Sequence, residues 1–315
     1  MIGNNVYGGG SGGSNIYEDW QPHPDWWDIE TILKNDTENY VGKWICLLPD
    51  IDKTTTFTVN SNIVAYKTSD GSMYTSTTTH TWDETKDKNC SDGYKTRYVI
   101  YYSNSVNSPT NTSIDSNFAN SKSLYIVFNI NIVYGYLFLR NFYLLQSFKF
   151  INNKNFNTTT MSTFCNNNYS LKKIPENLYT SNVTNFNGFC YYCFSLKIAP
   201  SLDFSNATDL SYLYFGCRSL ISISGVIDFN KLASAPSYIL DDSYQLINYN
   251  IINNKYSINL SSMINSNHQS LLNLVNGLAD LTSSSIQTLT IGTNLISKLT
   301  IAEKSIAINK NWKLA

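Results

Sequence analysis

The sequence predicts an α+β chain in four parts: a flexible N-terminal anchor, a small β-rich module, a solenoid of short repeats, and an α/β C-terminal cap. Three observations carry this reading. An aromatic segment follows a glycine-rich arm, alternating apolar runs are bounded by Asp-Gly turn signals, and a short apolar pentad then returns about every 24 residues. The corresponding boundaries are 1–36, 37–117, 118–260 and 261–315.

Composition narrows the class. The 315 residues suit two domains or one elongated array, and an apolar share of 42% is enough for a core. Charged residues make up only 14% of the chain, against roughly a quarter in ordinary soluble domains. Their place is taken by about forty Asn, many Ser and Thr, and 23 Tyr. The only arginines are Arg97, Arg140 and Arg218, no basic run occurs, and the net charge is −1, so no nucleic-acid partner is expected. No apolar run reaches the length of a membrane span, so no membrane partner is expected either. Residues 1–13 carry no basic and apolar signal regions, and the expected site of synthesis is therefore intracellular.

The anchor begins with Gly8 to Gly13, a stretch of maximal backbone freedom. Trp20, Pro22, His23, Pro24, Trp26, Trp27, Ile29 and Leu33 then form a stiff aromatic segment, and these eight are the candidate partner-binding residues. Asp25 is placed to cap a short helix with Trp26, Ile29 and Leu33 on one face. So short a helix needs a surface to dock on. That surface is either a partner's pocket, where aromatic anchors carry much of the binding energy, or the chain's own next module.

That module reads as strands. Lys43 to Leu48 is a compact apolar run, Thr56 to Val59 alternates, Asp70-Gly71 and Asp92-Gly93 mark tight turns, and Tyr94 to Tyr102 is the strongest strand. Ser103 to Asn117 reads as a linker.

The repeat follows. Its pentads centre on Leu124, Phe148, Leu171, Leu196, Leu220, Leu246 and Leu271. Upstream of the central three, Phe164, Phe189 and Leu213 lie seven residues before the leucine, and Cys193 and Cys217 lie three before. One such turn cannot bury its apolar face alone, so the expectation is a stack sharing a core. In the cap, Leu271, Leu274, Val275 and Leu278 share a helical stripe, Gln287 to Gly292 reads as a strand, and Thr300-Ile301-Ala302-Glu303 is a capping box.

Reactive chemistry is sparse. The six cysteines (Cys46, Cys90, Cys165, Cys190, Cys193 and Cys217) are expected as free, structural thiols. The Cys190-x-x-Cys193 pair lacks the second pair or spaced histidines of a zinc site, since His23, His80 and His268 lie far apart. No nucleophile elbow, phosphate loop or dinucleotide fingerprint occurs. The adjacent Asp241 and Asp242, like Asp25, Asp28 and Glu30, read as turn or solvated acids rather than a hydrolytic pair. No catalysis, metal or cofactor is expected.

Three segments together resemble a known group. The run Leu289 to Thr300 with Ala302 to Ala307 and Trp312-Lys313-Leu314 resembles the end cap of leucine-rich-repeat virion proteins in bacteriophages of gut Bacteroides, including the crAss-like phages. Pro22-His23-Pro24-Asp25-Trp26-Trp27-Asp28-Ile29 is similar to a leader shared by structural proteins of those phages, and the repeats resemble the BspA-type leucine-rich repeat. At Asn311 the cap of that group usually has Gly, so a left-handed turn there would carry modest strain.

The resemblance implies a leucine-rich-repeat-like solenoid in a virion structural protein made in the host cytoplasm, a tail- or collar-associated fibre or decoration. Its leader would dock on other virion proteins (portal, collar, tail or capsid components). Such a subunit would be a homo-oligomer, with a trimer among the symmetric options. A Tyr- and Asn-rich surface also suits a host surface glycan as partner. The alternative is a bacterial leucine-rich-repeat surface adhesin, which requires an export signal.

Overall fold

The computed structural model describes residues 20–107, 122–133, 135–151, 157–176 and 178–315. The glycine-rich arm and most of the expected linker at 103–117 lie outside them.

The chain opens with a short helix α1 (Ile29–Asn35) and enters a strand-rich part. In order these strands are β1 (Gly42–Pro49), β2 (Thr54–Phe57), β3 (Ala65–Thr68), β4 (Met73–Tyr74), β5 (Thr78–Thr81), β6 (Lys88–Asn89) and β7 (Lys95–Ser103). Then come β8 (Tyr125–Asn129) and β9 (Ser147–Phe150). One seven-stranded sheet takes the order β4-β3-β7-β1-β8-β9 with β6 on β7, so it runs across residue 117, while β2 and β5 pair separately. Antiparallel β1 and β7 run in register from Gly42↔Ser103 to Pro49↔Thr96, and β9 joins β8 in parallel.

The Lys43–Leu48 run is continuous because β1 is covered on both faces. Trp44, Cys46 and Leu48 face the main core with Val99, Tyr101, Ile126 and Phe128. Ile45 and Leu47 face a second core with Ile100, Tyr102, Tyr125 and Val127, which α1 closes with Ile29 and Leu33. The two Asp-Gly turns have left-handed glycines, Gly71 at φ 92° and Gly93 at φ 86°.

Beyond β9 the structure departs from the leucine-rich-repeat solenoid. Among the described residues no continuous parallel sheet runs along the chain. Among the described residues the later strands fall into two separate three-stranded sheets. One joins β10 (Ile198–Ala199), β11 (Ser222–Asp228) and β12 (Asn248–Ile252), and the other joins β13 (Ile258–Asn259), β14 (Gln287–Thr290) and β15 (Trp312–Leu314). The α+β solenoid expectation is therefore corrected to a mostly β fold of several small sheets. Between β9 and β10 the segment Lys172–Pro175 forms no strand, and Pro175 offers no backbone donor; Pro200, just after β10, likewise offers none.

The 24-residue period is used instead by irregular turns. Leu137, Thr163, Gly188 and Tyr212 donate their N–H groups to the carbonyls of Ser162, Asn187, Ser211 and Ser237 at 2.8–3.2 Å. Four residues on, Asn141, Asn167, Tyr192 and Gly216 donate to Asn166, Tyr191, Phe215 and Asp241 at 2.8–2.9 Å. All eight donors have positive φ. A left-handed residue reverses local curvature, so each turn bends where its donors meet the next. Inside lie Phe138, Phe164, Phe189, Leu213 and Ile239, all at most 2% exposed.

The C-terminal part carries α2 (His268–Asn276), α3 (Thr293–Ile296) and α4 (Ile301–Asn309). In α4, Thr300 and Glu303 form a reciprocal capping box.

Candidate functional site

The N-terminal aromatic segment is a strap across the face of the seven-stranded sheet. The helix cap is Asp28, whose carboxylate accepts the Thr31 N–H at 3.1 Å. Asp25 is not the cap. Its carboxylate accepts the Ser91 N–H at 2.8 Å, which leaves Trp26 in the turn before the helix. Ile29 and Leu33 are 1% and 2% exposed beneath α1. Trp27 donates its indole N–H to the Thr96 carbonyl at 3.0 Å and meets Tyr98 edge-on at 5.2 Å. Trp20 donates to Gln146 Oε1 at 3.3 Å and lies 5.5 Å from Tyr125 and 6.5 Å from Trp26.

Charged pins add to this. Lys88 donates to the Trp26 carbonyl at 2.7 Å, and Glu30 bridges Lys34 and Lys149 at 2.6 Å each. Ser91 hydrogen bonds hold the Asp25 carboxyl below its ordinary range, and Thr31 does the same for Asp28. Partial burial pushes Glu30 up, but the bonds from Lys149 and Lys34 outweigh it, and the net direction is down.

The eight candidates thus divide. Ile29 and Leu33 are buried in the chain's own core, Trp20, Trp26, Trp27 and His23 are half-buried, and Pro22 and Pro24 are exposed. His23 Nδ1 accepts the Asp25 N–H at 3.2 Å, which closes the turn between the prolines and Trp26. An open cleft of about 320 Å³ lies beside the strap, lined among others by Ile32, Asn35, Lys67 and Tyr98.

A second surface stands on the stacked turns. Tyr143, Tyr169, Phe194, Arg218 and Tyr244 each lie two residues before a buried leucine, at intervals of 24 to 26. The rings of Tyr143 and Tyr169 stack at 5.1 Å, and those of Tyr169 and Phe194 at 5.0 Å. The Arg218 guanidinium lies over Phe194 at 5.1 Å. Asp242 Oδ2 sits 4.0 Å from Arg218, and Asp242 Oδ1 accepts a short hydrogen bond from Tyr244. Flanking rings widen the face. Tyr191 stacks on Phe215 at 5.0 Å, Tyr212 stacks on Tyr238 at 5.5 Å, and Tyr192 touches both Phe194 and Phe215 at 5.4 Å. Gly216 makes room for Tyr192, since a Cβ there would meet the ring at 2.3 Å. This face was not among the sequence candidates, although the spacing to the leucines carried its signal.

Other titratable groups are committed elsewhere. His80 lies 2.9 Å from Asp70 and 2.7 Å from the Tyr74 hydroxyl, and Arg97 meets Asp87 at 2.5 Å. All six cysteines are free and buried. Burial pushes the Cys190 and Cys217 thiols well up and Cys46 to about 12, away from nucleophilic or ligand chemistry at neutral pH. Among the described residues no group of three or more His, Cys, Asp or Glu is placed to hold a metal, and no helix is long and apolar enough to cross a membrane. Asp241 is pushed up by burial and then by its neighbour Asp242.

Comparison with protein-family models, with curated proteins and with solved structures gives no match.

Proposed function

We propose that the chain is a non-catalytic structural protein of a bacteriophage particle, a tail- or collar-associated fibre or decoration that presents its aromatic face to a partner. The observation that carries this reading is the file of planar side chains, Tyr143 to Tyr244, repeated on successive turns, with Tyr143, Tyr169, Arg218 and Tyr244 exposed and Phe194 half-buried between them. An exposed aromatic file of this extent is a binding feature, because large contiguous exposed patches are uncommon on proteins without a partner. The leader and end-cap resemblances supply the virion assignment.

The attachment role of the N-terminal segment is carried by what the strap leaves outward, Pro22, His23 and Pro24, with the half-exposed tryptophans behind them. The test is mass spectrometry of purified particles, with the chain expected at a fixed stoichiometry. A chain found only in infected-cell lysate overturns the assignment. Removing residues 1–36 would strip Ile29 and Leu33 from the second core, so the clean variant is Pro22→Ala with Pro24→Ala. It should stay folded and lose incorporation.

A further inference from the structure

We infer that the aromatic face binds an uncharged polysaccharide, lying along the file from Tyr143 to Tyr244, and this rests on reading that face as the contact surface. Near-parallel rings 5.0–5.1 Å apart are offset rather than eclipsed. Each ring therefore keeps part of its face open, and Tyr143 and Tyr169 are 40% and 39% exposed. Open ring faces suit the C–H faces of sugar rings. One planar group per turn suits a ligand with a repeating unit.

The polar groups select hydroxyls. Arg218 has no hydrogen-bond partner for its guanidinium among the described residues, and its nearest carboxylate oxygen is 4.0 Å away. Free donors on Arg218 beside acceptors on Asp242 match a vicinal diol, which gives and takes hydrogen bonds at once. The Tyr143 and Tyr169 hydroxyls likewise lack protein partners among the described residues. A dry protein interface would leave them unsatisfied, whereas a hydroxyl-rich ligand satisfies them. The one cation of the file, Arg218, is offset by Asp242, with Asp241 adjacent. An acidic polymer would meet those carboxylates at the Arg218 end of the file, where charge favours a neutral one.

The test is affinity electrophoresis of the full chain in native gels containing a neutral glucan, mannan, galactan or xylan, with polygalacturonate as the acidic control. At least one neutral polymer should retard the protein. Tyr169→Ala should weaken retardation about tenfold and Arg218→Lys several-fold, because Lys keeps the charge but loses the planar fork. Asp242→Asn keeps a residue tolerant of the left-handed backbone and should also weaken binding. A circular dichroism melt matching the parent excludes misfolding for each variant. No retardation by any neutral polymer, equal retardation of parent and variants, or retardation by the acidic polymer alone overturns the inference. Glycan retardation by a chain absent from purified particles overturns the virion assignment and leaves this inference standing. Presence in particles without retardation does the reverse.

Discussion

The Cys217 thiol donates a hydrogen bond to the Cys190 carbonyl at 3.0 Å, across one turn of the stack. Cys193 repeats this toward the Cys165 carbonyl at 3.0 Å, and Ser243 repeats it toward the Tyr214 carbonyl at 2.9 Å. In the same column Asn168 accepts the Phe142 N–H at 2.9 Å. The slot thus calls for a small side chain that satisfies a buried backbone group, and sulfur is only one solution. The Cys-x-x-Cys spacing arises within one turn, where Cys193 fills this slot and Cys190, three residues earlier, repeats the buried position of Cys165, so it follows from two columns of the stack rather than from a redox pair.

Cys217→Ser should therefore stay within about 1 kcal/mol of the parent, because Ser243 already fills the equivalent position. Cys217→Val leaves the Cys190 carbonyl with only the long Cys193 N–H bond at 3.4 Å and should cost about 1–2 kcal/mol. Equilibrium urea unfolding measures both. Equal losses for the two variants would remove the hydrogen bond as the reason for the column.

Asn311 closes the C-terminal part at φ 64°, and its Nδ2 donates to the Leu281 and Ser284 carbonyls at 3.1 and 2.8 Å. The side chain thus offsets a backbone strain that glycine would not have. Asn311→Ala keeps the strain and loses both bonds, and should cost about 2 kcal/mol. Asn311→Gly removes the strain and loses the bonds, and should fall between parent and Ala. Thermal melts of the three proteins give the order. A Gly variant less stable than Ala would show that strain at this position is negligible.

Much of this was readable locally. The Lys43–Leu48 run, the two Asp-Gly turns and the Thr300–Glu303 capping box act over a few residues and are visible in the string. The period was readable too, but not its use. A repeat spacing does not say whether extended or turning backbone supplies the bonds between turns, and here Leu137, Thr163 and Tyr212 adopt left-handed φ despite side chains that disfavour it. The cap of α1 was misplaced at Asp25 because Ser91, 66 residues away, takes its carboxylate. Docking on the chain's own next module was one of the two readings the sequence offered, but its partners were unreadable, since Thr96, Tyr125 and Gln146 meet the strap only after the sheet forms. The aromatic file could have been found, because each member precedes a buried leucine by two.

The strap should behave as part of the second core rather than as a free arm. Leu33, 2% exposed among Ile45, Ile100 and Val127, should cost about 2–4 kcal/mol on truncation to Ala. Trp27→Phe keeps an aromatic ring against Tyr98 but leaves the Thr96 carbonyl without the indole donor, and should cost about 1 kcal/mol. Pro22→Ala should stay within about 0.5 kcal/mol. If Leu33→Ala matches Pro22→Ala in urea unfolding, the strap does not contribute to the fold.

Acid should loosen this strap first. Asp25, Asp28 and Glu30 all titrate below their ordinary carboxylate values in the folded chain, Asp25 and Asp28 chiefly through hydrogen bonds, Glu30 through bonds from Lys149 and Lys34 that outweigh its burial. A depressed folded pKa means that the unfolded segment binds protons more readily, so the contribution is complete above the unfolded value and is lost as pH falls through the folded one. The charged groups facing these acids are His23, Lys34, Lys88 and Lys149. Protection of the Ser91 and Thr31 amides, which donate to Asp25 and Asp28, should hold steady from neutral pH down to about the ordinary carboxylate pKa of 4 and fall below it. Hydrogen exchange read by mass spectrometry across that range tests it. Asp25→Asn should flatten the acid limb at Ser91 while leaving Thr31 unchanged. An acid limb that persists at Ser91 in this variant would assign the loosening to another group.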